Sequence, residues 1–128
     1  MTVTPITSYP AIVGMLLVMY RENRRVSQSA LADHVGVSQS GMSRIESGKG
    51  LLTIERLACA CELLDLYPGS LLGDADSCVA DFRGQGMQVS EFQLEPLDAL
   101  AKGGFCEVSK PSLRAMIERV VWPAKAKP

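Results

Sequence analysis

Apolar positions along the first part of the chain recur at helical spacing, and small polar residues fall where helices would begin and end. From Ala11 to Tyr20 almost every residue is apolar. This helix should start at Ser8 or Tyr9, with Pro10 in its first turn, where the missing N–H costs nothing, and run to about Asn23. Val13, Leu16, Leu17 and Tyr20 form its inward face. Val18 and Met19 make it apolar nearly all round, which implies cover on more than one side. Two readings stay open for them: scattered surface hydrophobes, or packing by the C-terminal segment or a second subunit. The stretch is too short to span a bilayer and no basic residue precedes it, so it is neither a membrane helix nor a signal peptide.

Residues 28–48 read as two short helices joined by a tight turn. Ser27 is placed to cap the first, with Val26 and Leu31 as a hydrophobic staple. Leu31, Ala32 and Val35 share one face, and the small Ala32 permits a close helix crossing. Gly36 can end that helix in the left-handed region without a Cβ penalty. Ser38 caps the second helix, with Val37 and Met42 as its staple. Met42 and Ile45 turn inward, while Gln39, Ser40, Ser43, Arg44 and Ser47 turn away. The whole is the helix-turn-helix pattern.

Beyond a loop at 49–52, Thr53 caps a further helix with Glu55 in its first turn. Its apolar stripe is Ile54, Leu57, Ala58, Cys61, Leu63 and Leu64. Asp74, Asp76 and Asp81 with Gly84 and Gly86 read as a linker over 74–88, holding at most a short helix at 78–82. The extension at 89–122 should hold a strand from Val89, a short helix from Pro96 to Ala101, a strand at Phe105–Val108 and a final helix capped by Ser109. Leu113, Ile117, Val120 and Val121 line one face of that helix. The tail from Ala124 to Pro128 is expected to fray.

Arg21, Ser27-Gln28, Leu31-Ala32, Gly36-Val37-Ser38, Ile45-Glu46 and Gly48-Lys49 together resemble the Cro/repressor-type (XRE-like) helix-turn-helix family, which includes the lambdoid phage repressors. The match runs from about Gly14 to Leu72. It implies a mainly α fold: a five-helix repressor-like domain at 8–73, with a short fifth helix at Leu66–Leu72 opened by Pro68, carrying a small C-terminal α or α+β extension. It implies an ion pair between Arg21 and Glu46, tying the first helix to the reading helix. It also implies that Gln28 bonds a phosphate and Gln39, and that Gln39 and Ser40 read bases. Two departures stand out. Val18 and Met19 fall at positions commonly polar in the family, and Arg25 at one often held by glycine, which implies a different helix end or a strained residue.

Composition narrows the function. Apolar residues are 47% and charged residues 21% of 128, enough for a real core. Up to Gly73 there are six basic and six acidic residues, and afterwards seven and eight, for a net charge of −1. Neither half is basic, so nucleic-acid binding should use a localised patch and a dimer rather than a broad cationic surface. Cys59, Cys61, Cys78 and Cys106 lack metal-ligand spacing and read as free thiols of a cytoplasmic protein. Lone His34 has no partner near it in sequence. The C-terminal half carries no catalytic constellation, so no enzyme, cofactor or metal is expected.

The expected function is sequence-specific binding of double-stranded DNA by a dimeric transcription regulator, more a repressor than an activator. A two-fold dimer would set its reading helices about one helical turn apart on a palindromic operator. Gln39 can pair bidentately with adenine, and Arg44 can reach a guanine or a phosphate. Ser38, Ser43, Ser47, Lys49 and the start of the helix at Gln28 suit phosphates, which position without specifying. The extension should mediate self-association, so that its removal after Asp74 would weaken operator binding more than it unfolds residues 10–72. Two alternatives remain: a DNA-binding antitoxin holding a second protein through the C-terminal segment, and an adaptor that uses the fold for protein contacts.

Overall fold

A computed structural model describes residues 3–123. At its centre is α1 (Tyr9–Asn23), capped by Ser8, whose hydroxyl accepts from Ala11 N at 3.1 Å. Ala11 through Leu17 and Met19 are all buried. The reason lies in its neighbours. α3 (Gln39–Glu46) of the helix-turn-helix packs on one side, and α5 (Pro68–Gly84) and α7 (Lys110–Val121) pack on the others. Met19 is buried and Val18 half-buried, with Val18 beside Pro111 and Arg114 of α7. Tyr20 meets Trp122 edge-on with ring centroids 5.0 Å apart, and Arg114 pairs with Glu22 at 2.7 Å.

The helix-turn-helix forms as its caps require. Ser27 accepts from Ala30 N to start α2 (Gln28–Val35), Gly36 ends it at φ 85°, and Ser38 accepts from Gly41 N to start α3 (Gln39–Glu46). Gly14 lets α1 cross the end of α3, since a Cβ there would lie 2.5 Å from the Ile45 carbonyl oxygen. Arg25 leaves α1 at φ 59°, a left-handed conformation that a non-glycine residue adopts at a cost of about 1–2 kcal/mol. Thr53 caps α4 (Ile54–Leu63). Its buried stripe is Leu57, Ala60, Cys61 and Leu64, whereas Ile54 is 85% exposed and Ala58 also faces solvent, against the expected stripe. Ile54 opens the helix, at its exposed end.

The expected short helix and linker are instead one helix. α5 runs on through Leu71, Ala75, Cys78 and Phe82, spaced four, three and four residues apart and fully shielded. The aspartates that suggested a linker are its polar partners. Asp74 accepts from Tyr20 Oη, Asp76 from Tyr9 Oη at 2.9 Å, and Asp81 from Gln85 Nε2 at 2.6 Å. One apolar cluster joins Ala11 to Ile117. Cutting after Asp74 would remove Phe82 from that cluster and open the core of residues 10–72, against the expectation that such a cut weakens DNA binding far more than folding.

The remaining surprise is β1 (Thr4–Ser8), the middle of a parallel sheet ordered β2-β1-β3 with β2 (Gln88–Ser90) and β3 (Phe105–Glu107). Pro5 is tolerated in this middle strand because Thr4 N and Ile6 O bond towards β3, which turns the Pro5 nitrogen towards β2. Pairing with β2 begins only at Ile6. The strand at Val89 ends early, at Ser90, while α6 (Leu97–Lys102) and α7 fall close to their expected places, Ser109 capping α7. The tail from Ala124 to Pro128 lies outside the described residues. Among the described residues, no helix is long and apolar enough to cross a membrane.

Candidate nucleic-acid interface

A buried carboxylate anchors the exposed face of α3. Glu46, at 6% exposure, closes the helix. It accepts from Arg21 Nε at 2.7 Å and from Arg21 Nη2 at 3.1 Å, a two-point pair that raises the arginine's pKa. The same carboxylate accepts from Gln28 Nε2 at 2.8 Å. An ionised carboxylate only accepts, so the Gln28 amide must turn its NH2 to Glu46 and its oxygen outward. Gln39 Nε2 donates to that oxygen at 3.4 Å, and Ser29 Oγ donates to Gln39 Oε1 at 3.0 Å. Arg21, Glu46, Gln28, Gln39 and Ser29 thus form one chain whose polarity is set from its buried end. Gln39 keeps one N–H and one oxygen lone pair unspent.

The other candidate residues divide. Ser40, Ser43 and Arg44 are exposed on α3. Ser38 is exposed too, but its hydroxyl already caps the helix and lies 3.2 Å from Ser40 Oγ. Arg44 Nη2 donates to the Lys49 carbonyl at 3.1 Å, which ties α3 to the loop after it. Two residues depart from the expected open face. Ser47 is half-buried: its hydroxyl donates to Ser43 O at 2.9 Å and accepts from Lys110 Nζ at 2.7 Å. Lys49 is paired with Glu107 of β3, at 3.6 Å. Both departures involve the extension, whose Lys110 and Glu107 reach the end of α3 and the loop after it.

Sequence reasoning missed Ser29, Glu107 and Lys110. Ser29 carries a signal in hindsight, since it lies one residue past Gln28 on an exposed helix start. Lys110 and Glu107 lie 63 and 58 residues from their partners, and no local pattern marks them. Away from the surface, His34 meets Glu62 at 2.9 Å. Burial pushes the Cys78 thiol up to about 12 and raises Cys61 as well, whereas Cys106 is exposed.

Residues 12–73 match the family model described as a helix-turn-helix domain. The matched stretch spans α1 to α4 and the start of α5, the part of the chain that holds the helix-turn-helix. Two crystal structures of the clp gene regulator ClgR from Corynebacterium glutamicum are similar to it. One is 26% identical with a TM-score of 0.57, covering 61% of this chain and 83% of that one. The other is 26% identical with a TM-score of 0.50, covering 53% and 88%. No curated protein matches the sequence.

Proposed function

We propose that this chain is a transcription regulator, acting as a repressor, that binds a palindromic double-stranded operator as a two-fold dimer. The observation that carries the reading is the oriented Gln39. Adenine presents N7 as an acceptor and N6–H2 as a donor in the major groove, and Gln39 holds the complementary pair ready. Its side chain reaches this geometry before DNA arrives, which lowers the ordering cost of binding. The similarity to the clp gene regulator supports the same class of function. Ser40 and Arg44 flank Gln39 as further base contacts, with Gln28, Ser38, Ser43 and Ser47 serving the phosphates, joined by Lys49 only where it leaves its pair with Glu107. Residues 8–73 act as the reading unit, and the rest as its support.

The dimer contact has to come from outside α7, whose Leu113 and Ile117 are spent on the chain's own core. Leu51 and Ile54, 69% and 85% exposed, follow the reading helix directly and are the apolar pair we assign to it. Use of α7 within the chain also counts against the antitoxin alternative, because no comparable apolar face of that helix is left for a second protein.

Selection of bound sequences from random DNA tests the proposal. The expected product is an inverted repeat with half-site centres about 10 base pairs apart, the spacing of successive major grooves. A single unrepeated motif would refute the dimer, and no enrichment at all would refute base reading.

A further inference from the structure

Gln39, Ser43 and Ser47 lie at four-residue spacing along one side of α3. From Gln39 to Ser47 the helix rises about 12 Å. The major groove is only about 12 Å wide. With Gln39 at the base edges, the Ser47 end therefore reaches the groove wall, where phosphates lie. The side chain that waits there belongs to the extension: Lys110, the first residue of α7, whose Nζ donates to Ser47 Oγ at 2.7 Å. Lys110 is exposed and, among the described residues, pairs with no carboxylate. The neighbouring cations differ, with Arg21 held by Glu46, Lys49 by Glu107 and Arg114 by Glu22. Between α3 and α7 runs a cleft of ≈ 390 Å³ lined by Gln28, Ser43, Ser47, Lys110 and Arg114 among others.

We propose that the extension is itself part of the DNA interface: Lys110, with the hydroxyls of Ser43 and Ser47, holds a backbone phosphate of the half-site that Gln39 reads. This rests on the base-reading role assigned to α3. The contact carries no sequence information, and it fixes how deeply α3 sits in the groove. Glu107 works against it on the same rim by holding Lys49 back from the phosphates.

The test uses the full chain, the selected operator and a scrambled duplex of equal length, titrated over a range of salt. Lys110→Gln should weaken binding to both duplexes by the same factor. It should also lower the slope of log K against log salt by about one per half-site. Lys110→Arg should restore both, and Lys102→Gln, exposed on α6, should change neither. Glu107→Gln should tighten binding at low salt, with the gain fading as salt screens it. If Lys110→Gln matches Lys102→Gln in affinity and slope while operator preference persists, the extension does not touch DNA and only this inference falls. If the unaltered chain does not distinguish the two duplexes, the base-reading role falls and takes this inference with it.

Discussion

α3 buries Met42, Ile45 and Glu46 along eight residues, whereas α5 buries Leu71, Ala75, Cys78 and Phe82 along seventeen. The first helix is held by directed bonds that converge on one carboxylate. The second is held by apolar area against α1 and α7, with Tyr9 and Tyr20 adding bonds to its aspartates. The two modes suit different tasks. Apolar contact is non-directional, so it can fix a scaffold but cannot orient an amide. Hydrogen bonds from an acceptor-only group orient each amide in turn. They can do so only because the helices carrying them are already held apart at fixed distances. The support and the reading face are therefore separable in kind but share one cluster.

Disrupting the support should have the largest effect. Phe82→Ala empties a fully buried site and should cost about 3–5 kcal/mol in chemical denaturation. It should lower the melting of the whole chain in one transition, because Phe82 belongs to the cluster that also contains Met42 and Ile45. Two separate transitions, with residues 12–73 unaffected, would show the two regions to be independent.

Disrupting the directed bonds should cost less stability and more discrimination. Glu46→Ala should destabilise by about 1–3 kcal/mol, since Arg21 is close enough to the surface to recover some hydration. It should also release Gln28, and with it the orientation of Gln39. In a double-mutant cycle, Arg21→Ala and Glu46→Ala should be less than additive, and strict additivity would show that the pair contributes nothing.

The same division explains what could be read from the sequence. Ser8, Ser27, Ser38, Thr53 and Ser109 are local cap signals, and each starts a helix within a residue of its expected place. α5 was hidden because its inward face uses Ala75 and Cys78, weak hydrophobic signals set among aspartates and glycines. β1 was hidden by its length and by Pro5, although Thr4, Ile6 and Thr7 are strand-favouring residues. In the site, Gln28 with Gln39 and Arg21 with Glu46 were legible by family resemblance. The bond from Gln28 to Glu46 depends on where three helices meet, and the bond from Lys110 to Ser47 on how α7 docks. No periodicity encodes either.

The most direct measurement is the affinity of Gln39→Ala for the selected operator and for scrambled DNA, at two salt concentrations. Loss of about 1–3 kcal/mol per half-site on the operator is expected, with scrambled DNA and the salt slope almost unchanged, because Gln39 carries no charge. Gln28→Ala should lose part of the same preference, and the double variant less than the sum. Equal weakening on both duplexes would contradict base reading by Gln39 and leave specificity to Ser40, Arg44 or the shape of the DNA.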